Sequence, residues 1–277
     1  MITLPDGYRA YGRFWPARAA RSAVLYHHGI QSHCGWYEQS PGRLAEKGLA
    51  VLQVDRRGCG RNELDRGHAE SAEQLILDAH ALRDELLARA GVGQYHVVGI
   101  SWGGKLAVAA AVDDSAGLLS LSLVTPGLFP KVGVTREQAA QIGFAMIYEP
   151  LRQFDIPLDD PQFFTAIRSW QRFIAEDALT LRQCTASFYL ASRRMDKTVA
   201  RLGQGTPIPI HLLLAGDERI IDNGRTAEFL ESLGWPNVRV SRYASARHCL
   251  EFGPEQERYF EDLSEFVVEA GAGVTSS

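Results

Sequence analysis

Ser101 stands between Gly99 and Gly103 in the run VVGISWGGKLAVAA, residues 97 to 110. The pattern G-x-S-x-G makes a nucleophile of its serine when a strand leads into it and a helix leads out. Here the apolar run Tyr95 to Ile100 precedes the serine, and the helical stretch Lys105 to Val112 follows. At so sharp a turn, side chains two residues to either side would collide with neighbouring backbone, so glycine is needed at both places. The serine is then held in a strained conformation with its oxygen exposed. Without those flanking elements the same pattern is as often an ordinary turn serine as a nucleophile.

A serine hydroxyl needs a base to take its proton. Of eight histidines, His248 lies beyond the last strand-like run and before the final helical stretch, in the chain order serine, acid, histidine. His80, His96 and His211 fall within a predicted helix and two strands, where a neutral, hydrogen-bonded structural imidazole is expected. The acid is sought in the loop after the run Ile208 to Leu214, which carries Asp217, Glu218 and Asp222. A carboxylate there accepts from the second ring nitrogen of the histidine, fixing its tautomer and stabilising the imidazolium. Spacing alone does not choose among the three. Backbone N–H groups supply an oxyanion site: one from Trp102, the residue after the serine, and one from Ile30 in the turn His27-His28-Gly29-Ile30.

These positions are far apart in the chain and need a frame that gathers them at one edge. Short apolar runs recur at Ala23 to His27, Ala50 to Val54, Tyr95 to Ile100, Leu119 to Val124, Ile208 to Leu214 and Val238 to Tyr243. Several are apolar on both phases, which predicts strands buried on both faces of a parallel sheet. From Ser71 to Arg89, Leu75, Ala79, Leu82 and Leu86 make one helical face, with Ser71 and Gly91 as start and stop signals. Strands alternating with helices predict an α/β class with a mostly parallel, twisted sheet covered by helices. Met1 to Trp15 reads as a small hairpin turning at Asp6-Gly7. From about Gly127 to Gly205 no strand pattern appears. Thr135 to Ile147, Pro161 to Glu176 and Leu179 to Arg194 read instead as helices, too much structure for a plain loop. We expect residues 127–205 to be a helical cap, inserted between the fourth and fifth long strands of a core formed by residues 1–126 and 206–270. Residues 271–277 read as a frayed, flexible tail.

Composition narrows what such a frame serves. The 277 residues are 45% hydrophobic and 22% charged, ordinary for a globular chain with a sizeable core. A net charge of −4 with scattered basic residues carries no electrostatic footprint for nucleic acid or an anionic membrane. The apolar runs are strand-length, and the first residues lack a basic region followed by a long apolar one, so neither an integral membrane segment nor a signal peptide is read. Cys34, Cys59, Cys184 and Cys249 are widely spaced without a C-x-x-C pair, which argues against a zinc site and for reduced thiols in a cytoplasm.

The set His28-Gly29, Asp55 to Asn62, Gly99 to Gly103, Gly216 to Asp222 and His248 resembles the α/β-hydrolase superfamily. Within it, spacing and cap look like the monoacylglycerol lipase, lysophospholipase and serine aminopeptidase branch, from about Asp6 to Val267. The resemblance implies Ser101 as nucleophile, His248 as base, and Ile30 and Trp102 as oxyanion donors. For the acid it points to the slot of Glu218, where aspartate is usual, with Asp217 taking the role if the turn is one residue tighter. Asp222 then braces the loop, and the turn at Asp55 to Gly60 supports the floor of the site. The implied activity is that of a serine hydrolase cleaving an apolar carboxylic ester, with no cofactor or metal. Amidase or peptidase work, acyl transfer and a non-catalytic binding role are the alternatives.

Overall fold

The computed structural model describes residues 1–272. The chain opens with a hairpin, β1 (Ile2–Thr3) and β2 (Arg9–Ala10), paired antiparallel across the Asp6-Gly7 turn. Then come β3 (Gly12–Trp15), β4 (Ala23–His27), α1 (Gln39–Glu46), β5 (Ala50–Val54), α2 (Ala72–Ala90), β6 (Tyr95–Ile100), α3 (Trp102–Asp113) and β7 (Leu118–Val124). The next segment holds α4 (Arg136–Tyr148), β8 (Gln153–Asp155), α5 (Arg168–Glu176), β9 (Gln183–Thr185) and α6 (Ala186–Val199). The chain returns to the sheet as β10 (Ile210–Ala215), α7 (Asn223–Glu231) and β11 (Val238–Tyr243), and ends in α8 (Gln256–Ala272).

Seven strands form the main sheet in the order β11-β10-β7-β6-β4-β5-β3, parallel throughout except for β3 at one edge. Every residue of β4, β5, β6 and β10 is buried, as runs apolar on both phases require. The strand order reverses between β4 and β6, which lie side by side with His27 opposite Gly99. In an open sheet of this kind the crevice for a ligand forms at the carboxyl ends of strands where the order reverses. On α2 the expected face of Leu75, Ala79, Leu82 and Leu86 is buried, Ser71 caps the first turn by accepting from the Gln74 amide at 3.0 Å, and Gly91 closes the helix in the left-handed conformation.

Several expectations need correction. The N-terminal hairpin ends at Ala10, not Trp15: β3 leaves it to pair with β5, and the break is held by Tyr11, whose N–H donates to Asn62 and whose carbonyl accepts from Asp55. Residues 127–205 are not free of strands, since β8 and β9 pair antiparallel; three-residue strands are too short for alternation to register. In that segment the stretch 161–176 splits into a single turn at Pro161–Phe163 and α5. Likewise α6 begins at Ala186 rather than Leu179, because Thr185 caps it by accepting from the Phe188 amide at 3.2 Å. Of the tail, Gly271 and Ala272 complete α8, and 273–277 lie outside the described residues.

Candidate active site

Between β6 and α3, Ser101 has φ 52° and ψ −122°, a region that costs a non-glycine residue of order 1–3 kcal/mol and persists only where its surroundings fix it. They do so through the backbone. The Ser101 N–H donates to Val124 O at 2.9 Å, and its carbonyl accepts from Gly104 and Gly127 at 2.9 and 2.7 Å. A Cβ on Gly99 would lie 2.7 Å from Gly103 O, and one on Gly103 would lie 2.5 Å from His28 O and nearer still to His27 O. Both glycines are thus required by close approach, the second because α3 begins against the end of β4. The helix starts at Trp102, three residues ahead of the expected Lys105, since Gly103 and Gly104 hide its onset.

Ser101 Oγ lies 2.9 Å from His248 Nε2, and His248 Nδ1 lies 3.0 Å from both carboxylate oxygens of Glu218. All three residues are buried. Burial opposes ionisation of Glu218, yet His248 and the Ile220 and Ile221 amides outweigh it and hold the carboxyl below its ordinary range. A carboxylate on Nδ1 places the imidazole proton there and leaves Nε2 to accept from the hydroxyl. Asp217, one residue earlier, turns outward to Arg219 and Arg247, at 2.9 Å from each. Asp222 caps α7, accepting from the Arg225 amide at 3.0 Å. The histidine loop is tied down from two directions: Thr125, itself at φ 40°, donates its hydroxyl to His248 O, and the Cys249 N–H donates to Phe164 O.

Trp102 opens α3, so its N–H is among those the helix ladder leaves free. Among the described residues, neither this amide nor that of Ile30 is engaged by a turn, loop or side-chain acceptor. Both residues and Ser101 line a cavity of about 210 Å³, walled by Val132, Val134, Ile156, Leu158 and Tyr189. Larger hollows sit at the opposite end of the strands, around Ser22 and Gln94 and around Pro209 and Asn237. The Trp102 indole is buried, lies on Phe188 and donates to Ser192 Oγ at 2.9 Å. Most aromatic side chains of 127–205 do not face this cavity. Phe164, Trp170 and Phe173 pack with Trp36 and Phe252, and Phe144 is exposed. Glu149, Asp159, Asp160 and Glu176, the acids of this segment that a peptidase could use to anchor a charged substrate terminus, do not line it. Asp196 does, held by the buried Lys105 at 2.6 Å. The Lys105 position was legible in principle: four residues after Ser101 on a helix is the same face one turn on.

The other histidines do not join this group. His96 and His211 are buried, hydrogen-bonded to serines and pushed down to about 4 by desolvation, so both are neutral. All four cysteines are free, and burial raises each thiol.

A family model described as "Serine aminopeptidase, S33" matches residues 18–255. The chain belongs to this family. Its fold is that of the α/β-hydrolases, shared with the monoacylglycerol lipase of Paleococcus ferrophilus (TM-score 0.84, 18% identity, 95% of this chain and 99% of that one). A thermostable carboxyl esterase of Bacillus coagulans is similar as well (TM-score 0.80, 17% identity, 97% and 96%). In sequence, 121 residues are 31% identical to a proline iminopeptidase of Lactobacillus helveticus, covering 42% of this chain and 40% of that protein. This α/β-hydrolase therefore spans about two fifths of the length of that relative. No helix among its described residues is long and apolar enough to cross a membrane.

Proposed function

We propose that this α/β-hydrolase cleaves carboxylic esters with an apolar acyl group through an acyl-enzyme on Ser101. Ser101 Oγ attacks the ester carbonyl while His248 Nε2 takes its proton, and Glu218 holds the imidazole and stabilises its charged form. The amides of Ile30 and Trp102 receive the oxyanion. As the tetrahedral intermediate collapses, the C–O bond to the alcohol breaks and His248 returns the proton to that alcohol. Water then adds by the same route and releases the acid and Ser101. Side chains and backbone supply every element of this chemistry, with no cofactor called for.

The observation that carries the reading is a serine 2.9 Å from an imidazole nitrogen at the wall of an apolar cavity. In this reading residues 127–205 are a cap over a core of residues 1–126 and 206–270, supported by Val132, Val134, Ile156, Leu158 and Tyr189 of that segment lining the same cavity as Ser101. Four unpaired, buried thiols fit work in a reducing compartment such as the cytoplasm. The family description and the iminopeptidase relatives favour a second reading, removal of an N-terminal residue from a peptide. That chemistry needs an anion for the substrate's ammonium group, and the one carboxylate that the described residues place on the cavity wall, Asp196, is already paired with Lys105.

Turnover of p-nitrophenyl esters from acetate to palmitate, beside prolyl p-nitroanilide, tests the choice. A cavity of about 210 Å³ is small for a ligand site, so turnover is expected to peak at short to medium chains. Faster cleavage of the anilide than of every ester overturns the ester reading.

A further inference from the structure

Two adjacent arginines after β5 are buried in opposite ways. Arg57 meets carboxylates, Asp78 through two bonds of 2.9 Å and Asp6 at 2.8 Å. The Arg56 guanidinium meets none among the described residues. It donates to Gly29 O at 3.4 Å, Ile30 O at 3.1 Å and Cys59 Sγ at 2.7 Å, and it lies over the rings of Trp102 and Phe188 at 4.4 and 5.0 Å. A buried cation without a counter-charge is costly, and neutral acceptors and ring faces offset only part of that cost.

The residues it touches are those of the oxyanion site. The peptide joining Gly29 to Ile30 is planar and trans, so whatever holds its oxygen sets the direction of its N–H. That oxygen receives both Arg56 Nη1 and His28 Nδ1, the latter at 2.7 Å, while the Arg56 N–H donates to His28 Nε2 at 2.8 Å. This bond requires a neutral His28, and burial together with the Arg56 charge keeps His28 well below its ordinary range. The same guanidinium lies over the ring of Trp102 at 4.4 Å, and the amide of that residue is the second donor. One side chain therefore spans both halves of the site, and donors on a peptide oxygen polarise the N–H at its other end.

We propose that Arg56 is a positioning residue of the oxyanion site, holding the Ile30 and Trp102 amides in place and biasing them toward negative charge that develops on the substrate. The proposal rests on the reading of Ser101 as nucleophile and of these amides as donors. A neutral ester gains little from an uncompensated cation nearby, whereas a tetrahedral oxyanion gains much, so the effect belongs to the transition state.

The experiment compares wild type, Arg56→Met, Arg56→Lys and Ser101→Ala on the best p-nitrophenyl ester. It also measures inhibition by a trifluoromethyl ketone bearing the same acyl chain, to whose carbonyl carbon Ser101 Oγ adds while His248 takes the proton, leaving an oxyanion. Loss of a whole oxyanion donor costs 10²–10³ in kcat, so misplacement by Arg56→Met is expected to cost about 30-fold, with KM within twofold and ketone affinity falling in step with kcat/KM. A purely structural arginine would lower the melting temperature without that parallel loss. Should Arg56→Met fail to fold, Arg56→Lys decides: it keeps the charge but not the fork, and about tenfold weaker ketone binding at unchanged KM is expected, on the same scale of donor loss. Ketone affinity within threefold of wild type in the folded variant overturns the proposal. Equal turnover by wild type and Ser101→Ala overturns the underlying mechanism instead, so the two failures are told apart.

Discussion

The two sides of the cavity differ in how their residues are held. On the sheet side each group is fixed by directional hydrogen bonds: Ser101 by the backbone of Val124 and Gly127, the His248 carbonyl by the Thr125 hydroxyl, and the Glu218 carboxylate by the Ile220 and Ile221 amides. On the other side, Val132, Val134, Ile156 and Leu158 offer apolar surface from loops and Tyr189 from the first turn of α6, and the nearby α4 leaves Phe144, Ile147 and Tyr148 in solvent. Directional bonds tolerate little displacement, whereas an apolar wall accepts substitutions of similar volume. On the proposed reading the contrast assigns chemistry to the strand ends and substrate choice to residues 127–205, and it predicts that changes on the two sides have separable effects.

The largest effect is expected at the acid. Glu218→Gln removes the anion facing His248, and losing the orienting carboxylate of such a triad costs about 10⁴ in kcat. Asp217→Asn, whose carboxylate faces Arg219 and Arg247 instead, should stay within about threefold, an exposed ion pair contributing at most ~1 kcal/mol. Steady-state kinetics of the two variants checks this, and equal losses would erase the distinction.

Next in size is a pH effect behind the histidine loop. Glu251 is buried, accepts from the Gln39 and Ser40 amides and from Ser40 Oγ, and desolvation pushes its carboxyl up to about 7. In the unfolded chain the group ionises near the ordinary value of about 4.3, so folding binds the proton more tightly. The stabilisation is present in full below that value and is lost as pH rises toward 7, by an amount on the order of 3 kcal/mol. Urea denaturation at pH 5, 6 and 7 should show the gap between wild type and Glu251→Gln changing with pH, and a constant gap would contradict it.

The smallest effect belongs to the apolar wall. Leu158→Phe fills the cavity without touching a bond of the strand ends, so acetate turnover should hold while the longest accepted esters lose about tenfold, in the range one methylene is worth in an apolar pocket. An equal loss on acetate would mean that the two sides are coupled.

Much of the sheet side was legible because its signals are local or periodic. Both-phase apolar runs located β4, β5 and β6, a half-polar run located the edge strand β11, and the glycines around Ser101, with the chain order, singled out Ser101 and His248. The choice between Asp217 and Glu218 was not legible. It depends on which way each side chain leaves one tight turn, and Arg247, thirty residues on, draws Asp217 outward. Lining by Ser192 and Asp196, like the span of Arg56 across two strand ends, arises only when distant segments meet. In residues 127–205 the short β8 and β9 fall below the length at which a period shows.

The central claim, that Ser101 becomes acylated, is tested most directly by treating the protein with a fluorophosphonate and locating the added mass. Labelling confined to the peptide bearing Ser101, lost together with ester turnover in Ser101→Ala, is the predicted result. Label on another residue, or turnover that persists in Ser101→Ala, would contradict it.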